Sequence, residues 1–329
     1  MPAEWQLHER TLMSWPTTHP VWGSILDEAR GEYAATARAI ARFEPVLMIA
    51  HPSDAAGARA RCGTGIEVFP VPIDDAWVRD SGPIIVSDDV GQRTGVHFRF
   101  NAYGERSAPY NKDAQLADRV LDHLGLPVRR STMVLEGGSI AVDGEGTLIT
   151  TEQCLLNHNR NPGWAREAIE RELGDQLGVE KIIWLPWGRL EDRHTDGHVD
   201  VVCMFVGPGV VIAQGCQDRT DPNYARMQAN LGVLREATDA KGRGLRITEL
   251  PLLPLVDVCG QATMLSNCNA YFANGGLIVP VADAATGDGV LDIFRAACPN
   301  HEVVPIGART IAFGGGGIHC ITQQVPAGT

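Results

Sequence analysis

The residues best equipped for chemistry begin with a cysteine after a glycine run, Cys320 in "GGGGIHCITQQVP". A His–Asp pair, His198 and Asp200, lies in "TDGHVD", and three further residues open other segments: Trp77 and Asp80 in "WVRDSGP" and Glu136 in "LEGGS". A thiolate is a strong nucleophile, and a histidine can hand a proton to a leaving group and then take one from water. Carboxylates around a thiol raise its pKa, so the set makes sense for a substrate that is itself a cation. A guanidinium fits: it is planar and offers paired N–H donors to carboxylates, and Trp77 is placed to cover its flat face.

Each residue also has a plain structural reading. Asp80 can pair with the neighbouring Arg79, and Glu136 can be a turn residue before two glycines. His198 can be a satisfied core histidine, and Cys320 a small packed hydrophobe. The other cysteines (62, 154, 203, 216, 259, 268 and 298) are read as structural on that basis. In an extended "HTDGHVD", His194, His198 and Asp200 would share one face, as zinc ligands could; no partner motif supports a metal. If the "GHVD" stretch is a strand, His198 and Asp200 face the same way. His319 and Cys320, being adjacent, would face opposite sides, which makes His319 a poor base and His198 the better one. "GGGGIH" lacks the features of a nucleotide-binding loop.

The net charge is −12 and 44% of residues are hydrophobic. No basic stripe is available for phosphates, which argues against nucleic acid. Eight cysteines without a C-x-x-C pair do not form a disulfide framework or zinc ribbon. "MPAEWQLHERTLMSWP" carries Glu4, His8, Glu9 and Arg10 and is no signal peptide, and no apolar run is long enough to span a membrane. These features point to a reducing cytoplasm and leave room for a homo-oligomer.

Five amphipathic helices are expected. They run from Ser24 to Glu44, from Asn111 to a stop at Gly125, from a cap at Asn161 to Gly178, from Asp221-Pro222 through Leu234, and from Asp288 to Ala297. Between them lie Gly-turned strand pairs at "RDSGPIIVSDDVGQRTGVHFRFN", "LEGGSIAVDGEGTLITTEQCLLN", "TDGHVDVVCMFVGPGVVIAQG" and "SNCNAYFANGGLIVPVAD", then "GGGGIHCITQQVP". Their recurrence predicts an α/β fold of five strand-plus-helix blades around a channel, in one domain over residues 1–329.

"MPAEW…HERT", "WVRDSGP", "FNAYGE", "LEGGSI", "TDGHVD" and "GGGGIHCITQQVP" together resemble the agmatine deiminases and their bacterial peptidylarginine-deiminase-like relatives, across almost the whole chain. The resemblance implies the pentein fold, a five-bladed α/β propeller. It also implies hydrolysis of a guanidine to a ureido group and ammonia, with no metal or organic cofactor. By motif, Cys320 matches the nucleophile, His198 the general acid/base, and Asp80 and Asp200 the guanidinium-binding carboxylates. Trp77 and Glu136 match pocket-lining residues. On agmatine the product would be N-carbamoylputrescine. Agmatine-specific members usually have Trp where this chain has Tyr103. The segments "ERSAPYNKD" and "QGCQDRTDPNY" also depart from the family pattern, and both are expected to shape the pocket around the substrate's tail. Other guanidines, an amidino-transfer reaction, and a non-catalytic binding module therefore remain alternatives.

Overall fold

The computed structural model describes residues 1–282 and 284–328, with the side chains of 284–288 left out. Two ends of the expected segments, Asp283 and Thr329, lie outside the described residues.

Four three-stranded sheets share one plan: an antiparallel hairpin, then a helix that returns the chain to a parallel third strand. The first is Ile84–Ser87, Arg93–Arg99 and Val128–Val134, crossed over by helix Leu116–Leu124. The second is Ile140–Val142, Thr147–Thr151 and Lys181–Leu185, with helix Arg166–Leu177. The third is Cys203–Gly207, Val210–Gly215 and Arg246–Pro251, with helix Tyr224–Glu236. The fourth is Tyr271–Ala273, Gly276–Val281 and Glu302–Gly307, with helix Ala284–Ala297.

The remaining sheet joins the two ends of the chain. Thr322–Pro326 lies antiparallel to His8–Ser14, which continues in parallel to Val46–Ala50 and Ile66–Pro70. Thus the last strand finds its hairpin partner at the N-terminal end rather than in its own neighbourhood. The central strands Val46–Ala50, Thr147–Thr151 and Gly276–Val281 are buried at every position, as expected where both faces of a sheet are covered. The helices turn an apolar face to these sheets: Ile169, Leu173 and Leu177 pack with Ile84, Val96 and Leu148. A separate hairpin, Val256–Val258 with Gln261–Thr263, was not expected. Its turn exposes Cys259, which corrects the reading of that cysteine as a buried residue.

The five expected helices are present; the first four start later than expected, and the fifth, Ala284–Ala297, starts four residues earlier. Leu26–Ile40 follows a 3-10 turn at Gly23–Ile25, and no side chain caps it. Leu116–Leu124 likewise follows a turn at Asp113–Gln115 and stops at Gly125 in the left-handed region. Asn161 does not cap a helix; its amide bonds both the N–H and the C=O of Val134 on the neighbouring strand, and the helix starts only at Arg166.

Candidate active site

Every sheet opens with the same tight turn, closed by a backbone bond from residue i+3 to residue i. The five bonds are Asp80 N to Trp77 O, Ser139 N to Glu136 O, Val202 N to Val199 O, Asn269 N to Ser266 O, and Thr322 N to His319 O. These turns replace the extended openings expected from the sequence. His198 and Asp200 sit on the turn Val199–Val201, Asp80 on Val78–Ser81, and Cys320 just before its strand. A turn can aim neighbouring residues at one point, whereas a strand sends them to opposite faces.

Gly138 marks where they converge. A Cβ there would lie 2.6 Å from His198 Nδ1, 2.9 Å from Asp200 Oδ2 and 3.0 Å from Asp80 Oδ1. The Cys320 Sγ is 3.3 Å from the same Asp200 Oδ2. The structure therefore places the four groups in one buried cluster. Arg79 turns away from Asp80, donating to the His319 carbonyl and to Gln324, so the local ion-pair reading of Asp80 fails. Asp80 accepts instead from the Gly138 N–H at 2.9 Å and the Tyr103 hydroxyl at 3.0 Å.

Glu136 is buried and ion-paired with Arg160 at 2.7 Å; its other oxygen is 4.0 Å from His198 Nε2. Trp77 donates its indole N–H to Asp75 and stacks on Trp22. It also stands beside the thiol, since a Cβ on Gly316 would lie 2.5 Å from the Trp77 ring and 3.0 Å from Cys320 Cβ. The expected one-face presentation of His194, His198 and Asp200 is absent, because Asp196 and Gly197 take φ of 63° and 88° and turn the chain. Glu136, Cys154 and His198 do lie within 4.8 Å of one another. The Arg160 guanidinium on Glu136 already neutralises that group and opposes a further cation there.

The opening of the fourth sheet, from which no candidate was drawn, supplies Asn269. Its amide NH2 is 3.2 Å from Cys320 Sγ, and its Oδ1 accepts from the backbone N–H groups of His319 and Cys320. The signal was available in the aligned openings, where "SNCNAY" occupies the place of "WVRDSG" and "LEGGS". The ring of His319 is not turned away from Cys320 as a strand would have it: it reaches the same Asp200 oxygen as the thiol does, at 3.0 Å, because residues 319 and 320 lie in a turn.

Burial, and then the charges of Asp200 and Asp80, push the Cys320 thiol well above its usual range. Asp80 is raised to about 8, first by burial and then by Asp200 across the pocket. Burial alone would raise Asp200 too, but the hydrogen bond and charge of His319 hold it below the usual carboxylate range. Burial lowers His198 to about 3, so in the empty site its ring is neutral and a weak base. Among the described residues, Asp200 Oδ1, Glu136 Oε2 and both ring nitrogens of His198 are buried without a hydrogen-bond partner. The two carboxylate oxygens and one nitrogen of the neutral His198 ring are acceptors that a many-donor cation would satisfy.

The sequence profile of the Porphyromonas-type peptidyl-arginine deiminases matches residues 1–326. The chain belongs to that family. It is 45% identical to an agmatine deiminase of Pseudomonas aeruginosa, over 99% of this chain and 95% of the relative. The solved agmatine deiminase of Enterococcus faecalis superposes with a TM-score of 0.95 at 33% identity, covering 99% of this chain and 95% of that one. A cysteine-to-serine variant of the C. jejuni agmatine deiminase, solved with substrate bound, superposes at 0.91 with 27% identity, covering 100% and 96%.

Within this deiminase family frame, the departure at Tyr103 has a visible consequence. Residues 102–105 form a tight turn with Tyr103 at φ 62°, and this turn brings the hydroxyl onto Asp80. Tyr103, Trp77 and Asp75 line a small cavity with Ser107, Pro109, Tyr110 and Asp113 of the other departing segment. The segment Gly215–Asp218, expected to shape the pocket around the substrate's tail, lines a different cavity of about 570 Å³ with Glu249–Pro254. Tyr103→Phe removes a donor that steadies the ionised Asp80, so KM for the guanidine rises about 5- to 10-fold with the fold intact, measured by steady-state kinetics and thermal unfolding.

Proposed function

We propose that the chain hydrolyses agmatine to N-carbamoylputrescine and ammonia through a covalent intermediate on Cys320, without a metal or organic cofactor. The observation that carries this reading is the cluster of Cys320, His198, Asp80 and Asp200 around Gly138, with its unpartnered acceptors. Asp80 and Asp200 bind the guanidinium, Trp77 covers it, and Glu136 bounds the pocket beside His198. The cation's charge cancels the carboxylates that raise the thiol, so Cys320 can ionise only when substrate is bound.

His198 takes the thiol proton as sulfur attacks the guanidinium carbon. It returns that proton to one NH2, which leaves as ammonia, and an S-alkylthiouronium remains. His198 then takes a proton from water, and the hydroxide adds to the carbon. The carbon–sulfur bond breaks, and the ureido product and thiol are restored. In sum, guanidinium and water give urea and ammonium. The five larger sheets, each opening with a turn closed by an i+3 to i backbone bond, support a five-bladed pentein propeller in one catalytic domain over residues 1–329. No described helix is long and apolar enough to cross a membrane.

A panel of agmatine, arginine, a guanidino acid and a peptidyl arginine, compared by kcat/KM with product analysis, tests the reading; agmatine is expected to lead. Failure to hydrolyse any guanidine would refute it. The pH dependence carries a definite sign. Below about pH 8 the empty pocket holds a proton on Asp80, which the guanidinium must displace. The folded, empty protein therefore binds more protons than the unfolded chain, and loses stability as pH rises towards 8. Agmatine reverses this, so its KM falls by up to about tenfold per unit between pH 6 and 8. The upward shift in unfolding temperature that agmatine produces grows over the same range.

A further inference from the structure

We propose that His319, clasped between Asp200 and Glu4, is a positioning residue: as an imidazolium it holds Asp200 charged and correctly aimed at the substrate cation. The inference rests on the guanidine-hydrolase reading above and adds a part that reading does not use.

The argument is one of donors and acceptors. His319 Nδ1 is 3.0 Å from Asp200 Oδ2, and Nε2 is 2.8 Å from Glu4 Oε1. Ionised carboxylates only accept hydrogen bonds, and a neutral imidazole carries only one N–H. Both contacts are satisfied together when both nitrogens are protonated; a neutral ring would set a lone pair against one carboxylate. The ring has no freedom to avoid this. The backbone N–H of His319 donates to Asn269 Oδ1, its carbonyl accepts from Arg79 Nε, and the side chain is buried.

The charged groups around the ring come from several elements. Glu4 comes from the N-terminal segment and Asp200 from the Val199–Val201 turn. Arg79 comes from the Val78–Ser81 turn and itself contacts Glu4 at 3.4 Å. His8, on the first strand, acts on Glu4 by charge, and the Cys320 thiol is the next residue along the chain. Burial and Arg79 push His319 down, while Glu4 and Asp200 push it up and prevail. Burial works against Glu4, but His319 and Arg79 bring it down to about 2.

The clamp accounts for an asymmetry in the pocket. Two carboxylates face one point, yet Asp200 stays below the ordinary range and Asp80 rises to about 8. Only Asp200 has a cation at its back. One carboxylate is thus charged before substrate arrives, and the other adjusts to it.

The test compares full-length wild type with His319→Gln and Glu4→Gln. Removing a positive charge next to Asp200 raises the pKa of the pocket's acids. The acid limb of the pH profile of kcat/KM for agmatine then moves upward by about one unit in His319→Gln, an approximately tenfold loss at a pH on that limb. Glu4→Gln, which removes the need for the second N–H, shifts the limb the same way by less. In wild type, 15N–1H spectra of histidine-labelled protein show two ring N–H protons for His319, assigned by their loss in the variant. A purely structural role lowers activity at all pH values without moving the limb; unmoved limbs in the folded variants, or a single ring N–H, overturn the proposal. Should His319→Gln not fold, Glu4→Gln and the spectra decide. Wild type that hydrolyses no guanidine refutes the functional reading instead, and the spectra still report the state of the ring.

Discussion

Cys320→Ala is expected to lower kcat for agmatine by about 10⁴-fold or more, while the protein still binds agmatine and unfolds within a few degrees of wild type. In the proposed mechanism the Cys320 thiol forms the covalent intermediate. Its neighbours Asp200, Asp80 and His198 hold their places through other bonds: Asp80 to Gly138 and Tyr103, Asp200 to His319. The cation site therefore outlives the nucleophile. Burial, Asp200 and Asp80 oppose ionisation of the thiol, so its loss takes no charge from the empty site. Single-turnover kinetics, calorimetric titration with agmatine and thermal unfolding separate the three effects. Retention of turnover would remove sulfur from the chemistry.

Gly138→Ala is expected to cost about 10²-fold or more in kcat/KM, although the substitution adds one methyl group far from any ligand tail. The backbone there does not require glycine. The added Cβ would instead press on His198, Asp200 and Asp80 together, at 2.6 to 3.0 Å, where real Cβ atoms scarcely ever approach. Those three side chains must separate, and their spacing is what the guanidinium reads. Gly232→Ala is the control. It lies within the helix Tyr224–Glu236 with nothing within 4 Å of its would-be Cβ, and should stabilise by about 0.5–1 kcal/mol without changing kcat/KM. Equal kinetics in the two variants would mean that Gly138 is not the point of convergence.

Much of this architecture could be read from the chain because its signals are local. Glycines at positive φ, such as Gly91, Gly209 and Gly275, turn the hairpins where the apolar runs break. The helix faces follow from spacing, as at Ile169, Leu173 and Leu177. The outer parallel strands, such as Val128–Val134 and Arg246–Pro251, were not anticipated: their partially exposed patterns carry little periodicity, and their pairing depends on a crossover helix. Nor could the union of Thr322–Pro326 with His8–Ser14 be seen, since the partners stand at opposite ends of the chain.

At the site, the residue types of Cys320, His198, Asp80 and Asp200 stood out because a thiol among acids demands explanation. What went astray was conformation. Period-two reasoning placed His319 opposite Cys320, whereas the turn closed by the Thr322 N–H on the His319 carbonyl brings both to one carboxylate oxygen. Asn269 escaped notice because a neutral amide in a polar run is neither charged nor nucleophilic; only its place in the aligned openings singled it out, and its nitrogen lies 3.2 Å from the sulfur. Asn161 misled in the other direction, its capping potential being spent on Val134.

The claim on which all of this depends is that only a cation can make the Cys320 sulfur reactive among its acids. It is tested by alkylating the protein at neutral pH with 2-chloroacetamidine and with 2-chloroacetamide, which have the same shape and differ in charge. Each rate is divided by that for a free thiol such as glutathione, and the label is located by peptide mass spectrometry. The account predicts that the amidinium modifies Cys320 at least about 10²-fold faster than the amide after this correction, and that agmatine protects. Equal corrected rates, or a label on a cysteine other than Cys320, would contradict it.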